Sequence, residues 1–295
     1  MKIYFKILII TMLLNRLVFA KSGFEYGFQI PLGMSVGIDR FILNKDSSSA
    51  QQSNYNSKLK QNSKKSYIGL DSGILIHLGY NFKFKKNMSL SLLFETGYFH
   101  DTFASYSKNK GSDSGILVHL GYNFEFKRNM SLSLIFETGY SHDTFASYSK
   151  NKGSASIKDF NCYIFESMVF GIYPKFNWNK FSFGIAGGIK VPLYARVKDS
   201  LADYQNSKIT QNIEIIKANQ LKNVFKVPII PYLKFSVDYL IYSDKKLNLF
   251  LGGYVGYDFG IYLKTPKFND SDLRKVIKQN ISSFNLGFQI GIKII

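Results

Sequence analysis

The stretch FEYGFQIPLGMSVGID, residues 24–39, decides the fold of this chain. Each even position from Phe24 to Ile38 is apolar, and each odd position is polar, small or proline. Because successive side chains of a strand point to opposite faces, this period of two predicts one strand with an apolar face and a polar face. The pattern leaves open whether the apolar face contacts a protein core or lipid.

Composition limits the fold class and the partners. The chain has 295 residues, 45% of them hydrophobic and 16% aromatic, which is enough apolar surface for a folded domain. Its one cysteine, Cys162, excludes an intrachain disulfide, and no mature segment is apolar for long enough to form a transmembrane helix. The formal net charge of +18 is strongly basic and favours acidic partners.

Residues 1–20, MKIYFKILIITMLLNRLVFA, have the layout of a secretory signal peptide. Lys2 and Lys6 precede an apolar run, and Ala20 supplies the small residue of a cleavage site. The apolar run at 7–14 is too short to cross a bilayer as a helix. We therefore expect export and a mature domain at 21–295, with a short membrane anchor as the alternative.

A tandem repeat limits the architecture. Residues 71–112 recur as residues 113–154, and the copies differ only at the pairs 76/118, 83/125, 86/128, 93/135 and 99/141. Each copy reads as two alternating segments around a short basic turn, followed by a longer loop, which predicts an antiparallel hairpin. A closed antiparallel barrel accepts an added hairpin because strand direction and an even strand count are preserved. A helical solenoid is the rival reading of such a period, but helical spacing is absent.

The alternation predicts an all-β, up-and-down barrel of ten strands, eight plus the duplicated hairpin. The strands are expected near 24–38, 68–84, 88–99, 114–126, 130–141, 160–176, 181–195, 225–241, 247–263 and 283–294. Short connections alternate with long polar ones, so all the short turns fall at one end of the barrel and all the long loops at the other. Helical spacing at 207–223 suggests a small helix inside one loop.

The polar faces indicate which medium meets the apolar faces. They carry glycines and charges of both signs, which suit a water-filled interior, so we predict that the apolar faces meet lipid. A secreted soluble barrel is the alternative. Glu166 is predicted to face the lumen across a local bulge. The residues predicted to line the lumen are His77, Glu95, His119, Glu137, Lys190, Lys234, Asp238, Asp258 and Lys293.

With its signal peptide, ten alternating strands, short turns opposite long loops and a strand at its C-terminus, the chain resembles the bacterial outer-membrane β-barrel family over residues 22–295. Its Lys, Asn, Ile, Phe, Tyr and Ser bias is similar to that of small spirochaete-type outer-membrane proteins. The resemblance implies localisation in a bacterial outer membrane, contact with its lipid, and insertion by the barrel-assembly machinery, which reads an aromatic residue at the end of the last strand. Here the alternating series ends on Ile294.

Chemistry is not indicated by any motif. The dipeptides His100-Asp101 and His142-Asp143 are poor catalytic dyads, because neighbours on a strand point to opposite faces. No nucleotide loop and no metal-ligand spacing is present, so we expect no enzymatic activity, no cofactor, no metal and no nucleic-acid partner.

Two functions remain open. One is a narrow porin-like channel for small solutes or ions, lined by the mixed charges of the lumen. The other is a non-conducting surface barrel whose long basic loops act as adhesin or ligand-binding sites for extracellular polyanions or host proteins. The candidate loop patch consists of Lys58, Lys60, Lys64 and Lys65.

Overall fold

The chain folds into one antiparallel sheet that closes on itself. A computed structural model describes residues 23–43, 65–85, 87–103, 111–127, 129–150, 157–203, 208–244, 246–266 and 277–294. The strands are β1 Gly23–Leu43, β2 Lys65–Lys85, β3 Met88–Phe103, β4 Gly111–Lys127, β5 Met130–Lys150, β6 Ile157–Trp178, β7 Phe181–Asp203, β8 Lys208–Lys217, β9 Ile230–Ser243, β10 Leu247–Leu263 and β11 Ile277–Ile294. One short helix, α1, spans Ala218–Val224.

Ten of these strands form the closed ring that the alternation predicts. Neighbours along the chain pair with each other, β1 pairs β11 to close the ring, and β9 follows β7 around it. β8 stands outside the ring and pairs only with β7 among the described strands. The prediction of a ten-stranded transmembrane antiparallel barrel is therefore confirmed.

The structure changes the prediction at the loop end. Residues 207–223 were expected to hold only a small helix, but their first part is strand β8 and only the second part is α1. β9 begins at Ile230 rather than at 225, and Phe225 instead bridges Leu263 at the end of β10. β8 and α1 together form a strap, residues 208–225, that fills the gap between β7 and β10 above the start of β9.

Two bulges shift the alternation near the loop end. In β7, Pro192 and Tyr194 pair with the consecutive β6 residues Ser167 and Glu166, so Leu193 between them has no partner. As a result, Leu193 and Tyr194 are both exposed. In β10 the register shifts between Asp258 and Ile261, where Gly260 has a φ of 82° that favours glycine. The sequence series placed Ile261 in phase with the apolar face, but the second bulge turns it inward, where it is buried.

The outward face of the ring is a continuous apolar belt. Phe28 is 41% exposed and Leu32 is 55% exposed on β1, and the same pattern of exposed apolar side chains recurs around the ring. Exposed apolar areas of this extent are rare on water-soluble monomers. With strands tilted near 45°, ten or more residues cover the roughly 25 Å apolar band of an outer membrane. The belt therefore faces lipid.

The belt generates a test of the lipid-facing assignment. Replacing Leu32 with Arg should destabilise the barrel in a bilayer by about 2–4 kcal/mol, because the charge would lie near the middle of the hydrocarbon. Ile213 on β8 is 52% exposed but lies at the loop end, so Ile213→Arg is the matched control and should change the free energy of unfolding little. Urea unfolding in lipid vesicles measures both variants. Equal stability of the two variants would contradict the membrane placement.

Candidate functional site

The interior of the barrel contains a cavity of about 830 Å³. Its wall reaches the turn end at Asn179 and Asn248 and extends upward to the level of Lys190. The structure places all the residues that the sequence predicts for the lumen in this wall: His77, Glu95, His119, Glu137, Lys190, Lys234, Asp238, Asp258 and Lys293. That the cavity conducts is a separate matter and stays a prediction.

The duplicated hairpins place the same pair twice on the inner wall. His77 lies opposite Glu95 between β2 and β3, and His119 lies opposite Glu137 between β4 and β5. In the first copy, Nδ1 of His77 lies 2.9 Å from a Glu95 carboxylate oxygen. In the second copy, the Glu137 carboxylate instead accepts a hydrogen bond from the Tyr232 hydroxyl on β9. The same His and Glu pair therefore makes different contacts in the two copies because the copies face different neighbours.

A chain of polar contacts runs along the inner wall from β6 to β3. Lys175 donates to Asp238 over 2.7 Å, and Gln289 donates to the other oxygen of the same carboxylate over 2.6 Å. Gln29 donates to Gln289 over 2.5 Å, and Nε2 of His77 lies 3.3 Å from the Gln29 side-chain oxygen. These contacts satisfy groups that are held away from bulk water.

Glycine makes this chain of contacts possible at one strand. Asp238 and Gln289 bond across β10, and the residue of β10 between them is Gly252. A Cβ atom on Gly252 would collide with the Asp238 carboxylate and lie 2.9 Å from the Gln289 side chain. The glycine is therefore required for close approach of neighbouring side chains rather than for backbone flexibility.

A second polar group lies higher in the lumen around Lys190. Its ammonium donates to Asp143 over 2.7 Å and to Asp258 over 3.2 Å, and Ser283 also donates to Asp258 over 3.1 Å. Lower down, Lys293 pairs with Glu25 at 2.7 Å. Asp143, Lys175 and Glu25 were not among the predicted lumen residues, although each falls on the polar phase of its strand.

Lys234 is bound differently from Lys175, Lys190 and Lys293, the cavity lysines that form salt bridges. Its ammonium lies 5.4 Å from the centre of the Tyr254 ring, and it is exposed to the cavity. No carboxylate forms a salt bridge with it among the described residues. Lys234 is therefore a lumen cation held mainly by an aromatic face.

Part of the cavity wall is apolar, which sequence reasoning missed. Leu75, Leu93, Leu117, Ile135 and Val169 line the cavity on β2 to β6. In these strands apolar residues occur in both phases, so the polar phase was recognised from its histidines, glutamates and glycines. Only the closed ring shows that these side chains share one surface.

Above the cavity an apolar cluster lies at the loop end of the barrel. Phe165 and Phe225 are completely buried with ring centres 5.4 Å apart, and Phe145 packs against Phe165 at 5.6 Å. The strap contributes Ile216, Leu221 and Phe225 to it. The full apolar cluster is Phe145, Tyr163, Phe165, Ala195, Val197, Ile216, Leu221, Phe225, Ile230, Ile261, Leu263 and Ile281. This cluster explains why β6 is apolar on both faces.

Glu166 is not in the lumen, and that prediction is wrong. The bulge that was expected near it lies in β7, whereas β6 keeps an unbroken register with β5, so Glu166 shares the outward face with Phe170. It is 2% exposed on that face. His142 lies 2.7 Å from its carboxylate, Arg196 donates to it over 2.8 Å, and Tyr140 also donates to it. The partners of this buried carboxylate offset its desolvation at the edge of the belt.

His142 and Asp143 point to opposite faces of the sheet, as expected for neighbours on one strand. His142 contacts Glu166 on the outward face, while Asp143 contacts Lys190 in the lumen. His100 and Asp101 have described backbones only.

Within the described ranges, no group of three or more His, Cys, Asp or Glu side chains could hold a metal ion. No helix in those ranges has the length and apolarity needed to cross a membrane.

Several predicted features lie outside the described residues. These are the signal peptide at 1–20 and the loop lysines Lys58, Lys60 and Lys64. Lys65 begins β2, but only its backbone is described.

Comparison with solved structures returns bacterial outer-membrane barrels. The outer membrane protease OmpT from Escherichia coli is 11% identical with a TM-score of 0.42, covering 92% of this chain and 96% of that one. The translocator domain of the autotransporter NalP from Neisseria meningitidis is 11% identical with a TM-score of 0.37, covering 99% and 96%. The attachment invasion locus protein Ail of Yersinia pestis is 10% identical with a TM-score of 0.26, covering 90% and 97%. Such low scores carry no argument about function.

No family model matches the chain, and no curated protein matches it. The fold assignment therefore depends on the strand pairing and the belt described above.

The wall contacts of Asp238 generate a test of their contribution to stability. Asp238→Ala should lower the free energy of unfolding by about 1–3 kcal/mol, because Lys175 and Gln289 lose their acceptor inside the barrel. The double variant Lys175→Met/Asp238→Leu should cost less, since it leaves no unpaired charge. Glu125→Ala, at an exposed position of the turn end, is the control and should change stability by less than about 0.5 kcal/mol. Urea unfolding of the refolded chain gives all three values, and a neutral Asp238→Ala would contradict this role.

Proposed function

We propose that this chain is a bacterial outer-membrane barrel that is sealed at its loop end and acts by presenting its loops to the outside. It is not an open porin and not an enzyme. The loops carry the ligand-binding role, and their excess of basic residues favours acidic ligands.

The apolar cluster is the observation that carries this proposal. A solute that moves along the barrel axis from the cavity toward the loops meets Phe165, Phe225 and their neighbours, which exclude water. An ion that loses its hydration shell in an apolar environment without a partner pays a penalty of several kcal/mol or more. The described part of the loop end therefore supports a barrier rather than a pore.

A narrow gated channel is the second candidate, and the cavity favours it. The cavity is lined in part by charges of both signs and reaches the turn end, so half of a conduction path already carries charged groups. In this reading the strap is the gate, because it supplies three apolar cluster residues without being part of the ring.

The non-enzymatic part of the proposal is supported by the positions of the histidines. The His142 side chain is 15% exposed, and its ring nitrogen contacts the Glu166 carboxylate on the outward face. Asp143 lies on the lumen side of the sheet, where it contacts Lys190. His77 lies in the chain of wall contacts, between Gln29 and Glu95. Neither arrangement pairs a base with a nucleophile.

Planar-bilayer recordings of refolded residues 21–295 separate the two candidates. We expect no discrete conductance steps from the unmodified sequence. Leu221→Ser/Phe225→Ser should introduce steps, because hydroxyl groups inside the apolar cluster admit water. Val227→Ser, an exposed apolar position just beyond the strap, is the matched control and should stay silent. Steady conductance of the unmodified chain would overturn the sealed barrel and favour the channel.

The orientation of the barrel is tested on intact cells. Protease added from outside should cut the connection at 44–64 and leave the short turns intact, since the proposal places the long loops outside. Cleavage at the turns alone would contradict this orientation. Fractionation of the chain with a soluble compartment would contradict the membrane localisation.

A further inference from the structure

The outward face carries a band of bases directly above the apolar belt. We name it the basic collar and define it as Arg40, Lys226, Lys264 and Lys278. All four side chains are exposed. We propose that the basic collar binds the phosphate groups of acidic lipids in the leaflet at the loop end. The inference rests on the proposed membrane placement but not on whether the barrel is sealed.

Strand pairing brings these bases to one height. Arg40 on β1 pairs with Asn280 on β11, and Asn280 pairs with Tyr262 on β10. The Lys226 amide donates to the Tyr262 carbonyl over 2.8 Å, which continues this row onto the segment after α1. Because direct cross-strand neighbours lie about 5 Å apart, the row is a continuous surface from β1 to the strap.

A second row lies immediately above the first. On one side, Lys278 of β11 pairs with Ile42 of β1. On the other side, Gln279 pairs with Leu263 of β10, and Lys264 directly follows Leu263, which brings Lys264 to the height of Lys278. The Lys264 amide donates to the Val224 carbonyl over 2.8 Å, so Lys264 is fixed to the end of α1.

Alternation with buried neighbours sets the direction of the collar side chains on β1 and β11. Phe225 precedes Lys226, Leu263 precedes Lys264, and Ile277 and Gln279 flank Lys278. These four neighbours of the lysines are buried. In the extended backbone of β1 and β11, exposed Arg40 and Lys278 point away from their buried neighbours and therefore face outward, on the side of the belt. Lys226 and Lys264 lie in bends and are exposed directly after Phe225 and Leu263 of the apolar cluster.

The height of the basic collar matches the lipid headgroups. On β1, the outward series from Tyr26 to Ile38 covers roughly 28 Å along the barrel axis at a rise of about 3.3 Å per residue and a tilt near 45°. Arg40 is the next outward residue and so lies just past the apolar band. Tyr262, 40% exposed in the same row, is an aromatic residue of the kind found at the membrane interface.

Charge composition distinguishes the basic collar from the general basic bias of the chain. The whole sequence has 38 bases and 20 acids, but segments 215–237, 259–269 and 273–295 contain no Asp or Glu. At the turn end, by contrast, exposed Glu125 and Asp244 accompany the lysines. Among the residues that the structure describes, no carboxylate pairs with a member of the basic collar. Adjacent uncompensated bases repel one another, and a layer of phosphates removes that repulsion.

Native mass spectrometry of refolded residues 21–295 in a non-ionic detergent tests the inference. The probes are phosphatidylglycerol, which is acidic, and phosphatidylcholine, which has no net charge. The unmodified chain should bind phosphatidylglycerol more tightly, and added salt should reduce the difference. Arg40→Gln/Lys226→Gln/Lys264→Gln should weaken phosphatidylglycerol binding by about 100-fold, at roughly five-fold per base, and leave phosphatidylcholine binding unchanged.

Matched variants keep this test decisive. Lys85→Gln/Lys127→Gln/Lys246→Gln removes the same charge from the turn end and should keep most of the lipid preference. Lys226→Arg/Lys264→Arg keeps the charge and should bind like the unmodified chain. Heat-modifiable mobility on gels checks folding, and the double variant Lys226→Gln/Lys264→Gln, with an expected loss of about 25-fold, replaces the triple variant if that one does not refold.

Three results would overturn the inference. These are no preference for phosphatidylglycerol in the unmodified chain, equal losses in the collar and turn-end variants, or binding of heparin through the basic collar without any lipid preference. The last would reassign the basic collar to a soluble polyanion. Conductance recorded on the same preparations tests the sealed barrel independently, because a conducting barrel could still prefer acidic lipid.

Discussion

The constraint on which this structure depends is that hydrocarbon offers no hydrogen bonds to a backbone. Each N–H and C=O group inside the apolar band must find a partner within the protein, and a sheet satisfies all of them only by closing. Here closure requires β1 to pair with β11, whose residues are more than 230 positions apart at every paired position. The belt, the lumen and the contacts across the wall all follow from that closure, because it separates one face of every strand from the other.

Closure also explains why the interior is rich in paired charges. The inward residues of ten strands meet in a confined space, where an ionised group without a partner is costly. Lys190 contacts two aspartates and Lys175 contacts one, while small residues such as Gly252 leave room for side chains to bond across a strand. The duplicated hairpins fit this ring without disturbing it, since each brings its own His and Glu pair and its own even number of strands.

The loop end is built on a different principle from the rest of the interior. There the bulges in β7 and β10 turn apolar residues inward, and the strap adds Ile216, Leu221 and Phe225 from outside the ring. At the same end, exposed bases lie at β1, β11 and the segments after α1 and β10. In the proposed function the apolar cluster seals this mouth, which favours a barrel whose exposed parts interact with their surroundings over one that transmits solutes.

The sequence by itself determined the ten ring strands, the lipid-facing phase and the lumen positions such as His77, Glu95 and Asp238, because a period of two assigns each side chain to a face without knowledge of its partners. Tertiary structure alone decided which of these residues meet, as Gln29 and Gln289 do from opposite ends of the chain. It also decided that Glu166 faces outward and Ile261 inward, because a bulge in one strand changes the phase of that strand and not of its neighbour. Periodicity is a local property, whereas register, bulges and the strap depend on contacts between distant segments.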